Sequence, residues 1–242
     1  MTTYNEAENL PIIAERLIAL KPLVDVVVTD DTSPDGTGET ADSLAASCER
    51  FHVIHRPERQ GVGPAIRAGI KYGLADDYDF LVLVDADLSH DVDDIWTLVE
   101  TAQKDEADLV IGSRYVAGGG LDADWGWFRR AESQGGSAYA RFMLGTHVRD
   151  CTSGFRCYRA SILRRIQVET TASAGYFFQI ETLARIMDVG GVVVEVPTTY
   201  TDRRLGESKI SSWIALEALW MTTLVGLGRL FGRPRSGLRS HV

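Results

Sequence analysis

Cysteine is scarce in this sequence, and the three present (Cys48, Cys151 and Cys157) fall at no metal-ligand spacing. An odd, scattered set excludes a disulfide framework and a cysteine-bound zinc site, so a reducing cytoplasm is the expected setting. The five histidines, at positions 52, 55, 90, 147 and 241, show no ligand spacing either. Lysine is rarer than its usual share, with four against 21 arginines. Positive charge is outweighed altogether: 25 basic side chains face 34 acidic ones, for a net charge of −9. That balance argues against a protein that holds nucleic acid by neutralising its phosphates. Internal repeats and low-complexity tracts are missing, and the opening residues are polar where a secretion signal would be basic and then apolar. The single long apolar run, residues 210–230, is interrupted by Glu217 and Arg229. What remains is 242 residues, 45% of them hydrophobic, enough to bury the core of one α/β domain with or without an appendage.

The order of elements follows from apolar spacing. Leu10, Ile13, Leu17 and Leu20 recur at helical intervals, with Pro11 tolerable in a first turn. Residues 24–28 form a short apolar run that ends in Asp30-Asp31, and the turn chemistry of residues 32–37 leads into a helix through Ala46. Strands are expected at 51–54, 80–84 and 108–112, and helices at 63–74 and 95–104. Strands alternating with helices imply a mostly parallel sheet covered on both faces. In such sheets ligands sit beyond the carboxyl ends of the strands, and both acidic clusters, Asp30-Asp31 and Asp85-Ala86-Asp87, fall there. Thr2-Thr3-Tyr4-Asn5-Glu6 looks like a loop that should follow a strand, so either an upstream segment or a sheet member is expected to be missing.

Two carboxylates one residue apart at a strand end repel each other unless something neutralises them. A divalent cation does so, and Mg²⁺ or Mn²⁺ favours a few carboxylates completed by phosphate oxygens and water. A nucleotide diphosphate would supply those oxygens. The same cluster could instead cap the helix that follows, and an Asp-x-Asp by itself does not separate the two.

Seven blocks, in order, carry a family resemblance: Thr3-Tyr4-Asn5-Glu6; Asp30-Asp31-x-Ser33-Pro34-Asp35-Gly36-Thr37; Asp85-Ala86-Asp87-Leu88-Ser89-His90; Gly112-Ser113-Arg114-Tyr115; Ser153-Gly154-Phe155-Arg156-x-Tyr158-Arg159; Gly175-Tyr176-x-Phe178-Gln179-x-Glu181; and Asp202-Arg203-x-x-Gly206-Glu207-Ser208-Lys209. Together they resemble the dolichol-phosphate (polyprenol-phosphate) mannose synthases, within the inverting family-2 glycosyltransferases of GT-A fold. The resemblance implies a Rossmann-like nucleotide-diphospho-sugar transferase that moves mannose from GDP-mannose to dolichyl or polyprenyl phosphate, making a lipid-linked sugar donor for glycosylation. It implies that Tyr4, Glu6, Val28 and Asp30 line the nucleobase and ribose pocket, and that Asp85, Ala86 and Asp87 hold the metal and diphosphate. Some relatives place Gln at the position of Ser89 as a further metal contact; Ser89 is shorter. Thr2 stands where the family usually has Pro. Arg114 and Arg129, with Ser133, resemble the clamp on the acceptor phosphate, Arg114 serving the donor as well, and Arg203 and Lys209 resemble the donor-side clamp. Asp85, Asp87, Arg114 and Arg129 are thus the expected catalytic set.

That chemistry makes physical sense, because a lipid phosphate is already a nucleophile near neutral pH. What the reaction needs is positive charge that brings two anions together in line, and arginine suits forked phosphate binding. The bland alternatives are an ordinary charged helix face for Arg129-Arg130 and a surface ion pair for Arg203-Arg204 beside Asp202. Gly118-Gly119-Gly120 could close a loop over the acceptor or serve as a plain linker. Residues 153–158 are expected to return to the sheet, with a helix over 176–188 packed below. Gln179 and Glu181 face either the sugar or the core.

Residues 210–230 are long enough to span a bilayer, but Glu217 is costly at its middle. Two tryptophans and a basic end suit a helix lying in the headgroup region; a buried core helix is the alternative. The expected organisation is therefore a GT-A catalytic domain over 1–209, an amphipathic interface helix over 210–230 and a flexible basic tail over 231–242. It would act as a peripheral protein at the cytoplasmic face of the membrane, with a membrane-anchoring subunit possible. A UDP-glucose-dependent polyprenyl-phosphate glucosyltransferase and a non-catalytic sugar-nucleotide-binding subunit are the rival readings.

Overall fold

The computed structural model describes residues 1–122, 126–175, 177–201 and 212–230. In chain order the elements are β1 (Thr2–Thr3), α1 (Leu10–Ala19), β2 (Val26–Asp30), α2 (Thr37–Ser47), β3 (Phe51–His55), α3 (Val62–Ala75), β4 (Phe80–Leu83), α4 (Ile95–Lys104), β5 (Leu109–Ser113), β6 (Gly120–Leu121), α5 (Trp127–Leu144), β7 (Arg156–Arg159), α6 (Ala160–Arg165), α7 (Phe177–Asp188), β8 (Val193–Pro197), β9 (Thr199–Tyr200) and α8 (Ser212–Leu230). Pro11 sits in the first turn of α1, where its missing N–H has no helical partner to lose.

β1, β2 and β3 pair in parallel, while β4, β7, β5 and β8 form a second group. A parallel bridge between Thr2 and Asp85 joins the two groups. β7 is the antiparallel member, paired with both β4 and β5, and β5 runs parallel to β8. The predicted return of residues 153–158 to the sheet is thus β7. The opening stretch departs from expectation: Thr2 and Thr3 are not a post-strand loop but a short strand, registered against Thr29 and Asp30.

The two-residue period of a strand sends alternate side chains to opposite faces, and here it divides the core in two. Val82, Val110 and Cys157 pack with Leu10, Ile13, Leu98 and Phe155 on the face covered by α1, α2 and α4. Leu81, Leu109, Ile111 and Tyr158 pack with Ile70, Leu163, Phe178 and Leu183 on the other face. Both faces are covered, as the alternation of elements predicts.

Two of the cysteines, Cys151 and Cys157, lie within these cores, and burial pushes each thiol up to about 12. At pH 8 only about one part in 10⁴ of such a group is thiolate, the reactive form. Brief iodoacetamide treatment of the native protein should therefore label Cys48, which is half-exposed, and leave the other two unmodified by peptide mass spectrometry.

The most divided element is α8. Its Thr222, Val225, Gly226 and Gly228 are buried, and Gly226 lies so close to α5 that a Cβ there would come within 2.6 Å of the Met143 carbonyl oxygen. Tyr139 and Thr223 share a 2.5 Å hydroxyl hydrogen bond, and Arg229 forms a 2.6 Å ion pair with Asp188. The opposite side leaves Leu216, Leu219, Trp220 and Leu227 exposed, and on α5 Trp127 and Phe142 are 80% and 81% exposed. No helix among the described residues is long and apolar enough to cross a membrane.

Candidate active site

The carboxyl ends of β1, β2 and β4 leave the sheet through backbone that ordinary residues seldom adopt. Asn5, Thr32 and Leu88 have φ values of 55°, 61° and 63°. Asn tolerates the left-handed region, but a β-branched Thr or a Leu there is strained, and such residues concentrate where function fixes the chain.

Each turn is held by a carboxylate. Asp30 accepts hydrogen bonds from the Thr3 hydroxyl (3.0 Å), the Ser33 hydroxyl (2.5 Å) and the Ser33 N–H (3.0 Å), tying β1 to the turn after β2. Asp31 pairs with Arg56 at 2.5 Å and accepts from the Gly61 N–H at 3.0 Å, fixing the approach to α3. Asp35 accepts from the Thr37 hydroxyl and the Ala7 N–H, while the Glu6 N–H donates to Thr37 and the Glu6 carboxylate accepts from Asn9. Tyr4 lies at the same edge with the Arg59 guanidinium 3.8 Å from its ring centre. Val28 is wholly buried in the core. Of the four residues expected at the nucleoside pocket, Tyr4, Glu6 and Asp30 belong to one strand-end region, whereas Val28 is a core residue two positions before the strand end, with no side-chain surface to offer a nucleoside.

Beyond β4 the two aspartates differ. Asp87 is 3% exposed, and its Oδ1 accepts from both the N–H and the hydroxyl of Ser89, at 3.1 and 2.6 Å. Ser89 is fully buried, so its hydroxyl braces Asp87 from behind. Ala86 between them is buried. Asp85 keeps 46% of its side chain exposed and accepts from His90 Nε2–H at 3.2 Å. Gly154 faces it, and a Cβ there would stand 3.2 Å from Asp85 Oδ2. The capping role that competes for this cluster belongs to Asp91, whose side chain accepts from the Asp93 N–H just before α4. Among the described residues no group of three or more His, Cys, Asp or Glu side chains is placed to hold a metal unaided. A half-exposed hard carboxylate, a second one beside it and a glycine in place of a bulky neighbour fit Mg²⁺ or Mn²⁺, which take few protein ligands when phosphate completes the shell.

Arg114 departs from the expected open clamp. Its Nε–H and Nη2–H donate to the two oxygens of Asp150, both at 2.7 Å, and Nη2–H also donates to Thr152. Asp150 is fully buried and would be an uncompensated charge without this pair. Burial alone would lower the guanidinium's affinity for its proton, but the bonds to Asp150 outweigh it and hold Arg114 above its ordinary range. The guanidinium stacks near Tyr115 and Tyr200, at 5.2 and 5.6 Å from the ring centres. The Tyr200 ring meets His90 edge-on at 5.2 Å, so a continuous packed column runs from Asp150 through Arg114, Tyr200 and His90 to Asp85.

Arg129 is exposed in the first turn of α5, one turn before Ser133 on the same helical face. The Tyr115 hydroxyl donates to Ser133 at 2.7 Å, which brings this face to the Arg114 loop. Arg203 and Lys209 lie outside the described residues, as does Tyr176. Gln179 and Glu181 are buried: Glu181 accepts from Arg185 and from the N–H groups of Ala172 and Ser173, a loop-holding role on the core side. The sequence carries no signal for Asp150 or Tyr200, which emerge only from the packing, and Gly154, though part of the block at 153–159, gains its place beside Asp85 only in the fold.

The model of the family described as "Glycosyl transferase family 2" matches residues 1–167. Undecaprenyl-phosphate mannosyltransferase of Micrococcus luteus is 46% identical over 240 residues, 99% of this chain and 96% of the relative. Polyprenol monophosphomannose synthase of Mycolicibacterium smegmatis is 43% identical over 238 residues, 98% of this chain and 89% of the relative. Among solved structures, glucosyl-3-phosphoglycerate synthase of Mycobacterium tuberculosis with Mn²⁺, uridine diphosphate and glucosyl-3-phosphoglycerate aligns at a TM-score of 0.65 and 20% identity, covering 98% of this chain and 80% of that one. At that identity the likeness establishes the fold, which is GT-A.

Proposed function

The chain belongs to glycosyl transferase family 2, and on that premise we propose that it transfers mannose, with inversion, from GDP-mannose to a polyprenyl phosphate at a membrane surface. The observation that carries the proposal is the pair Asp85 and Asp87 beyond β4, one half-exposed and one braced by Ser89, with Asp85 at one end of a packed column that passes through Arg114 to Asp150. The names of the two mannosyltransferase relatives support the sugar and the lipid class.

Tyr4, Glu6 and the turn held by Asp30 receive the nucleoside. Asp85 and Asp87 would hold Mg²⁺ or Mn²⁺, which when bound supplies positive charge to the leaving diphosphate. Ser89 acts on Asp87 rather than on the ion. An acceptor phosphate oxygen attacks C1 of the sugar from the face opposite the diphosphate, the C1–O bond to the diphosphate breaks, and no protein base has to take a proton. Arg129 and Ser133 on α5 receive the lipid phosphate. Arg114, neutralised by Asp150, keeps the Tyr115–Ser133 contact and the Tyr200 ring in place. Arg203 and Lys209 complete the donor side. Radiolabelled GDP-mannose and UDP-glucose, offered in parallel with polyprenyl phosphate, test this reading with and without Mn²⁺. Label should enter lipid from GDP-mannose and only with the metal; transfer from UDP-glucose alone would replace the donor assignment.

The exposed apolar side chains of α5 and α8 are proposed to meet the lipid headgroup region at the cytoplasmic face. Tryptophan on a helix flank is suited to that boundary. Trp220→Asp with Leu219→Asp should shift the protein from the floating to the soluble fraction in a flotation assay with anionic vesicles. If the parent protein itself stays wholly soluble, the membrane part of the proposal fails.

A further inference from the structure

His90 has no part in the chemistry just proposed, yet its surroundings are unusual for a packing residue. The side chain is 2% exposed. Its ring stacks on Phe155, with centroids 4.9 Å apart and planes at 23°, and meets Tyr200 edge-on at 5.2 Å and 82°. Two aromatic contacts at right angles fix the imidazole plane. Nε2–H then points at Asp85 Oδ2, 3.2 Å away; a carboxylate only accepts, so the proton lies on that nitrogen. The other ring nitrogen, Nδ1, is buried and has no hydrogen-bond partner among the described residues. Burying an imidazole with one unsatisfied nitrogen is unfavourable, and a phenyl ring would fill the same space without that cost. Asp85, in contrast, is half-exposed, so burial alone does not fix the plane of its carboxylate.

We infer that His90 is a positioning residue of the donor site, anchoring one oxygen of Asp85 and so setting the plane in which that carboxylate meets a divalent cation. The ring acts through Asp85 and touches neither sugar nor phosphate. Phe155 and Tyr200 serve as its walls, and Gly154 leaves the space beside the Asp85 carboxylate that a Cβ, 3.2 Å from Oδ2, would take. Hydrogen-bonding partners that aim a metal ligand typically change metal affinity ten- to hundredfold when removed. The inference rests on the proposed metal role of Asp85, so the test includes a variant of that residue.

The test compares His90→Phe, His90→Gln and Asp85→Asn with the parent, measuring Mn²⁺ binding in the presence of GDP by electron paramagnetic resonance at one fixed pH. His90→Phe keeps the aromatic packing and removes the donor; His90→Gln restores an N–H at similar reach. The expected result is Mn²⁺ affinity about tenfold weaker or worse for His90→Phe, with most of the loss recovered by His90→Gln and no fall in melting temperature for the Phe variant. In transfer assays the half-saturating Mn²⁺ concentration should rise while kcat at saturating Mn²⁺ returns to within about threefold of the parent, because the reacting groups are intact. If Asp85→Asn loses Mn²⁺ and His90→Phe binds it like the parent, the positioning role is overturned and the metal reading stands. If Asp85→Asn binds Mn²⁺ like the parent, both fall.

Discussion

Asp85→Ala should lose transfer by at least about 10³-fold, the several kcal/mol a metal contributes to a leaving diphosphate, while losing about 1–3 kcal/mol of stability with the fold retained. The stability expectation follows from its partner: nearly half of the Asp85 side chain faces solvent, but the buried His90 Nε2–H loses its acceptor. Asp87 requires a different substitution, because it is buried and both the N–H and hydroxyl of Ser89 depend on its Oδ1. Asp87→Ala would strand those two donors at a cost of about 1–3 kcal/mol, and transfer should still be abolished with the fold retained. Asp87→Asn keeps an acceptor for Ser89 and removes the charge, so a comparable loss of transfer in that variant separates chemistry from stability. Circular dichroism melting read beside the lipid-transfer assay checks both. Full activity in either Asp87 variant would remove the metal role from that residue.

The second large effect is on the fold itself. Asp150→Ala leaves the Arg114 guanidinium, 9% exposed, without its partner, and breaking a buried pair from one side costs about 3–5 kcal/mol. Against a total stability of about 5–15 kcal/mol, that is a large fraction of what holds the domain folded, and the melting temperature should fall sharply. Replacing both members, Arg114→Met with Asp150→Leu, should recover part of that stability, since no charge is stranded although the backbone N–H groups of residues 114 and 153 lose their acceptor, but transfer should stay impaired because the column to Tyr200 is gone. The pair also predicts an acid limit. Burial pushes the Asp150 carboxyl up, but hydrogen bonds and charge from Arg114 outweigh it and hold it below its ordinary value of 3.8. A carboxylate depressed in the folded state contributes stability that is fully present above the unfolded value and is lost as pH falls through the folded one. The melting-temperature gap between parent and double variant should therefore be constant above about pH 5 and narrow below about pH 4. A gap that stays constant to pH 2 would show that Asp150 does not titrate with unfolding.

Much of this was legible in the sequence because the relevant signals are local. The apolar runs ending in Asp30 and Asp85 name strands and place their carboxylates at the ligand edge, and α4 has the predicted bounds of 95–104. The shape of the small strands was not legible. Thr2–Thr3 is a strand only because Thr29 and Asp30 lie alongside, and two residues carry no period. α5 escaped for a related reason: its run of Arg, Glu, Ser, Gln and Gly dilutes the apolar face, and the 18-residue helix is supported by packing along α8. Arg114 falls just beyond the strand expected at 108–112, but its partner is not legible there. Asp150 is 36 positions away, and nothing in either motif announces the pairing. The His90 contacts likewise depend on Phe155 and Tyr200, which are remote in sequence.

Gly226 against the Met143 carbonyl oxygen leaves no space for even a methyl group between α8 and α5, so α8 is seated directly on the α5 backbone. Arg129 and Ser133 ride on the same α5. With α8 seated at lipid as proposed, the depth of that seating sets the height of the phosphate-receiving side chains above the bilayer, like a float fixing the level of a valve. A bulky residue at position 226 would then alter which acceptor phosphates are reachable without touching any residue that contacts them.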